Sequence, residues 1–473
     1  MKKYVSSLLL ALIFITLTSK LSPIYPVNDW CDTNSFFTMG KALINGIDIY
    51  KDLFEQKGPF LYLIYGIGYI ISNKSFLGVY IMEVISFTFF LKITYETLCI
   101  IECKNKKYIM LFIPFMITTS IAFYGGGSAE EFCLPFIAYN IKLIVKYLKK
   151  LEITNKEYFI SGIFASLVIL IKFNIVSFWF GFIILSIISK KYKELVYFFF
   201  GLTIPVIITI LFFNKNLPYF IDVYFIKNIV NYNKKSETII TNVTDGFMNL
   251  FIFDLIENIF LVISMFLSFL HMHRIKKIRE YILVFLFPFV FICCQNVWFK
   301  YYALPFCIFS IIGLIIVFNK INLKRINKYI YTITIIILTI ILGKNTFMLK
   351  YKKENFVQYK FAEIINKYED KTILNYGFID TGFYLVTDTI PNVRFFHTMN
   401  FDDFREMKES QQRYIKNKKT NFVICISIEK NFECNNEFVL KNYKLLDIER
   451  HNDDYGLYYA LYVRRNEDDK KNL

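Results

Sequence analysis

A chain of 473 residues with 55% hydrophobic and 19% aromatic side chains and a mean hydropathy of +0.41 is not a water-soluble domain. Long apolar runs recurring along it mark a polytopic α-helical membrane protein. The balance of 55 Lys+Arg against 39 Asp+Glu, net +16, would point a soluble protein towards nucleic acid, but here the excess lies largely in short clusters between apolar runs. The preference of basic residues for the cytoplasmic side explains it, and nucleic acid is excluded as a partner.

Lys2 and Lys3 precede an apolar run, 4–18, that looks like a signal peptide. No small-x-small cleavage site follows in TLTSKLSP, so a retained first helix is expected, its lysines inside. Residues 29–59 are too polar for lipid and read as an external loop. They open on Asp29 and Asp32 and end in Tyr50-Lys51-Asp52-Leu53-Phe54-Glu55-Gln56-Lys57, closed by Gly58-Pro59. Such charges at the mouth of an apolar bundle either serve chemistry or only solvate a loop. The run 59–72, about 14 residues, is short for a span and suits a juxtamembrane or re-entrant helix.

The run 76–101 is interrupted by Glu83, Lys92 and Glu96, of which Lys92 and Glu96 are spaced to pair. It leads inward to Lys104, Lys106 and Lys107. Outward and inward runs then alternate: 108–124, the external turn 125–131 with Glu130 and Glu131, 132–147, 158–173 with Lys172 at its outer end, 175–189 and 196–213. A long external loop, 214–245, holds an amphipathic piece, 217–232. Asp254 and Glu257 fall on one face of an apparent helix, read as lying at the membrane interface. A span ending near His271 and the runs 281–294, 302–318 and 329–342 complete about eleven spans, N-terminus inside and C-terminal part outside.

From residue 344 the pattern becomes that of a small α/β domain of about 120 residues. Helices are predicted at 356–368 and 401–417 and strands at 371–377, 421–428, 443–449 and 458–463, followed by a charged tail, 466–473. The domains are thus 1–343, with its first external loop at about 20–75, and 344–473.

Cys99, Cys293, Cys294 and Cys307 lie in apolar runs and read as packing residues. The nine cysteines show no metal-ligand spacing, although Cys425 and Cys434 can pair. His271 and His273 sit at a cytoplasmic end in a chain with only 4 His, so no metal and no cofactor is expected; a divalent cation has no support in the spacing. There is no Walker loop, GxGxxG, HExxH or paired CxxC, which leaves ATP-driven transport and zinc proteolysis without a basis.

Asp32, Gly40-Lys41, Gly46, Tyr50-x-Asp52 and Glu55-Gln56-Lys57-Gly58-Pro59 together resemble the first external loop of GT-C-fold glycosyltransferases. The likeness is to the bacterial branch with the lipid A aminoarabinose transferases and relatives of protein O-mannosyltransferases. GGGSAEEFCLP, from Gly125, resembles the acidic turn those proteins carry next. Lys300-Tyr301-Tyr302-Ala303-Leu304-Pro305 resembles a later basic-aromatic-proline signature, and NYGFIDTGFY, from Asn375, looks like a segment of bacterial members. The resemblance covers most of residues 4–342. It implies a GT-C-like bundle that moves a sugar from a polyprenyl-phosphate donor to a lipid or glycan acceptor on the outer face of the bacterial cytoplasmic membrane.

Displacement at the sugar needs a carboxylate base for the acceptor hydroxyl, cations for the departing phosphate, and an apolar groove for the lipid tail. The resemblance places the base at Asp32, with Asp29 its nearest competitor. Glu130 or Glu131 would orient the acceptor or Asp32, or else solvate a turn. Lys41, Tyr50, Asp52, Glu55 and Lys57 would shape the substrate site. Lys172 and Lys300, the latter beside Tyr301, either hold the phosphate or snorkel at outer helix ends. The competing classes are a lipid-linked glycan flippase or transporter and a polymer ligase. A transporter would show broken helices in matched halves, and none is visible. A ligase would carry its key loop late in the chain.

Overall fold

Backbone groups that cannot reach water must be satisfied within their own segment, so the apolar runs form helices. The computed structural model describes residues 2–231, 238–295, 297–321, 327–399, 405–429, 432–451 and 456–465. In chain order the bundle contains α1 (Lys2–Thr18), α2 (Cys31–Ile44), α3 (Pro59–Ile71), α4 (Leu77–Ile100), α5 (Lys106–Thr118), α6 (Ala129–Leu148) and α7 (Asn155–Ile169). It continues with α8 (Phe180–Ile188), α9 (Tyr192–Phe212), α10 (Ile239–Phe247), α11 (Ile259–Arg274), α12 (Ile278–Cys293), α13 (Cys307–Lys320) and α14 (Lys328–Leu342). Local chemistry sets the starts of several: proline at the first turn of α3, the Ser128 hydroxyl capping α6, and a Thr154–Glu157 capping box on α7.

Among the described residues, Leu77–Ile100, Tyr192–Phe212 and Lys300–Lys320 are long and apolar enough to cross a membrane by length and composition. Val5–Thr18, Pro59–Ile71, Phe173–Ile188, Ile259–Arg274 and Lys328–Leu342 are apolar but shorter. The amphipathic piece is helical over 217–231, with a π-helical stretch at Ile221–Lys227. Lys92 does meet Glu96, at 3.8 Å, and Glu96 takes a second lysine, Lys142, at 3.1 Å.

Two local readings change. The stretch read as a polar loop after residue 29 contains α2, buried from Thr33 to Ala42. Several of its polar side chains find partners within the fold. The Thr33 hydroxyl donates to Trp30 O, the Ser35 hydroxyl to Cys31 O, and the Asn34 amide to Asn28 O and Trp30 O. Phe36, Phe37, Met39 and Ala42 are left to bind the helix into the core. Asp254 and Glu257 do not share a helix face, because they sit in the turns before α11. There Asp254 pairs with Lys300 at 3.0 Å and Glu257 with Lys344 at 3.5 Å.

Beyond residue 343 four strands form one sheet: β1 (Ile373–Tyr376), β2 (Phe422–Ser427), β3 (Tyr443–Arg450) and β4 (Tyr458–Arg464). Their order is β1-β2-β4-β3, with β1 parallel to β2 and the other two pairs antiparallel. α15 (Val357–Ile365) and α16 (Arg405–Lys416) accompany the sheet. Cys425 and Cys434 form a disulfide, Cα to Cα 5.9 Å. The tail 466–473 and residues 401–404 of the expected polar helix lie outside the described residues.

The turn after β1 is built on Asp380. Its buried Oδ1 accepts from Asn375 Nδ2 at 2.8 Å and from the N–H groups of Gly382 and Phe383 at 3.2 and 3.0 Å. Burial nevertheless pushes its carboxyl up from 3.8 to about 6. A carboxyl raised on folding stabilises fully below its unfolded value, and that contribution is lost as pH rises through the folded one. Asp380→Asn, whose amide oxygen accepts the same three bonds, should flatten the fall in melting temperature of this part between about pH 4 and 6. A variant with the wild-type slope would assign that slope elsewhere.

Candidate active site

Asp32 lies in the first turn of α2, where the helix N-terminus favours a carboxylate. Its Oδ2 accepts the Tyr301 hydroxyl at 2.8 Å. Among the described residues its Oδ1 has only the weak thiol contact from Cys31 at 3.8 Å. Tyr301 is set in place by rings: Phe299 stacks on it at 5.5 Å, and Trp30 and Tyr124 meet its edge at 5.4 and 5.9 Å.

Lys172 follows α7 and is held from two sides. Its ammonium pairs with Glu130 Oε1 at 2.5 Å and lies 3.4 Å from the centre of the Tyr302 ring. Glu130 is only 2% exposed, because Ser128 starts α6 just before it and points its first turn inward. Lys172 also lies within electrostatic reach of Lys57 and Asp32. Lys57 arrives there by backbone contact: Gly58 N–H donates to Ile171 O at 3.1 Å and Phe60 N–H to Leu170 O at 3.0 Å. The approach demands glycine, since a Cβ on residue 58 would fall 2.0 Å from Leu170 O. Tyr50 and Glu55 shape the same turn. The Tyr50 hydroxyl donates to Lys57 O at 2.8 Å, and the buried Glu55 accepts Lys57 N–H at 2.9 Å and the Tyr62 hydroxyl.

A cavity of 350 Å³ opens here, lined by Gln56, Lys57, Lys172, Tyr224, Asn228 and Tyr302 among others. The helix at 217–231 forms one wall; Tyr224 donates to Ile169 O at 2.5 Å and Asn228 to Gln56 O at 2.7 Å. The crossing of 57–60 with 170–172 separates this cavity from an apolar groove of 350 Å³, lined by Pro59, Phe60, Leu63, Leu170, Pro205 and Phe212 among others.

The other candidates stand apart from this cluster. Asp29 accepts from Lys20 at 2.7 Å and lies 3.7 Å from His451. Burial pushes its carboxyl up, but the Lys20 ammonium and His451 outweigh that and hold it well below the usual carboxylate range. Lys41 is buried in an ion pair with Asp388 at 2.5 Å, and Asp52 is exposed. Lys300, half exposed, turns to Asp254. Glu131 faces Gly127 and Glu83 rather than the cavity. Tyr302, within the motif at residues 300–305, was not singled out by sequence; its role as the ring against Lys172 emerges only where helix ends meet. Among the described residues no group of three or more His, Cys, Asp and Glu comes together as a metal site would.

No protein-family model and no curated protein matches the chain. Among solved structures it is similar to ArnT from Cupriavidus metallidurans bound to undecaprenyl phosphate, with a TM-score of 0.64, 10% identity and 97% of each chain covered. It is also similar to the apo state of that protein, with a TM-score of 0.59, 10% identity and the same 97% coverage of each chain. The likeness shows that this chain has the GT-C membrane fold of ArnT.

The ion pair makes the cluster testable. Lys172→Ala leaves Glu130 buried and unpaired, a defect that typically costs about 3–5 kcal/mol. Adding Glu130→Gln should restore much of the melting temperature in detergent. Equal melting of Lys172→Ala and wild type would show that the pair is not buried in solution.

Proposed function

We propose that the protein is a membrane glycosyltransferase. It transfers a sugar from a polyprenyl-phosphate donor to a hydroxyl of a lipid or cell-surface glycan at the outer face of the bacterial cytoplasmic membrane. The observation that carries the reading is the nearness of base, cations and groove: Asp32, with one oxygen weakly engaged, within electrostatic reach of Lys172, Lys57 and Lys172 lining one cavity, and an apolar groove across the 57–60 crossing. A lipid phosphate needs such a pairing, charge at the lipid–water boundary beside a slot for the chain. The solved ArnT structure bound to undecaprenyl phosphate supports it by likeness of fold.

In this reading the acceptor oxygen attacks the anomeric carbon as the bond from that carbon to the phosphate oxygen breaks. Asp32 Oδ1 takes the hydroxyl proton, and Tyr301 keeps Oδ2 fixed so that the carboxylate presents one oxygen. Polyprenyl phosphate leaves with the bonding electrons, its charge facing Lys57 and Lys172. Glu130 keeps Lys172 in position before the donor arrives. Lys300, exposed and paired to Asp254, lies outside this inner set. In this reading the part after residue 343 is extracytoplasmic, a compartment in which the disulfide between Cys425 and Cys434 would persist.

Asp32→Asn preserves size and the bond from Tyr301 but cannot take a proton. Transfer from a polyprenyl-phosphate sugar by the reconstituted protein should fall by about 10²–10⁴-fold, with donor binding retained. Full activity of this variant would remove Asp32 from the chemistry.

Tyr301→Phe removes one hydrogen bond to a charged group, worth about 1.5–3 kcal/mol, and should lower kcat by about 10–100-fold with little change in donor KM. A change confined to KM would instead place Tyr301 against the donor.

A further inference from the structure

Beneath the turn at residues 125–128 two carboxyls are sealed from water. Glu83, on α4, is 0% exposed, and Glu131, in the first turn of α6, is 3% exposed. The Ser19 hydroxyl donates to Glu83 Oε2 at 2.8 Å, and Gly127 N–H donates to Glu131 Oε2 at 2.7 Å. The remaining oxygens, Glu83 Oε1 and Glu131 Oε1, are buried and receive no donor. Yet the two side chains are close enough for each carboxyl to act on the other. Two ionised carboxylates offer only acceptors and cannot bond. A single proton between them supplies the missing donor to both orphan oxygens and removes one of two like charges from a site without water.

The surroundings supply no alternative. Among the described residues neither carboxyl makes an ion pair. The polar groups facing them are Ser19, the Gly127 amide and Tyr65, whose hydroxyl donates to Gly127 O at 2.7 Å. Asp32 is the other charge that, with this pair, acts on Tyr65. The packing is close enough to exclude a cation: at Gly126, where φ is +80°, a Cβ would lie 2.5 Å from Glu83 Oε1 and 2.2 Å from Ser19 Oγ.

We propose that Glu83 and Glu131 share one proton and act together as positioning residues. They pin the 125–128 turn so that α6 presents Glu130 to Lys172 and so that Trp30, packed on Gly125, stays against Tyr301. Gly125 leaves only 2.9 Å between its absent Cβ and the Trp30 ring, so a displaced turn moves the ring that seats Tyr301 and hence Asp32. The positioning role rests on the transferase reading; the shared proton does not.

The test uses the full chain in detergent. Infrared difference spectra, wild type minus Glu83→Gln, should show the C=O band of a protonated carboxylic acid, and Glu131→Gln should remove the same band if Glu83→Gln does not fold. Absence of that band in wild type overturns the shared proton. Kinetics follow from donor counting. Each single Gln replaces the proton with an amide N–H and should lower kcat by about threefold. The double variant turns two NH2 groups towards each other, and should lose about tenfold more than the product of the singles at unchanged donor KM, a coupling typical of contacting residues. A double variant no worse than that product overturns the proposal. Wild-type protein that shows the band but transfers no sugar overturns the transferase reading and leaves the pair standing.

Discussion

A lysine taken out of water needs a carboxylate taken out with it, and the ion pair of Lys172 with Glu130 is where this end of the bundle is fixed. Once the two meet, the start of α6 is tied to the end of α7. The carbonyls of Leu170 and Ile171 then face the amides of Phe60 and Gly58, and Lys57 must follow its glycine into the same space. Tyr302 covers the ammonium, and Tyr301, next in the chain, reaches Asp32. Each step is a short-range contact, but the residues come from five separate places in the sequence.

The part after residue 343 holds the segment carrying Asp32 from the other side. Asp388 pairs with Lys41, His451 approaches Asp29, and the Arg394 carbonyl accepts Phe54 N–H at 2.9 Å while its guanidinium donates to Tyr50 O at 3.3 Å. These contacts account for several charges that sequence alone offers as catalytic. Asp29 and Lys41 are partnered in the joint between the bundle and the α/β part, with no face towards the cavity. The 217–231 helix is tied to the same part by Lys227 and Glu406 at 3.0 Å. One wall of the cavity is therefore connected to α16, which among the described residues contributes none to its lining.

A shared fold at 10% identity is physically reasonable for such a bundle. Apolar side chains of similar volume replace one another in a packed interior at small cost. Buried charges have no such freedom, because each must find a donor or a counter-charge. Lys172, Lys41 and Asp29 are accordingly explained by their partners, and the apolar residues by the helix face they fill.

Local order settled what the sequence determined by itself. Hydropathy and basic clusters marked the helices, period-2 runs marked the four strands near their observed bounds, and the helix ends where Lys172 and Lys300 sit were legible because a helix end is written in neighbouring residues. α2 was hidden because its Thr, Ser and Asn look solvent-seeking until their hydrogen bonds to Asn28, Trp30 and Cys31 are seen. Tertiary structure alone decided which charges meet. Lys172 went to Glu130 and Lys300 to Asp254; Asp29 went to Lys20 and Asp32 to Tyr301; Glu83, legible only as an interruption in an apolar run, went to Glu131. A charge is identical in any surroundings when read as a letter. Its role follows from the partner that burial forces upon it, and that partner lies far away in the chain.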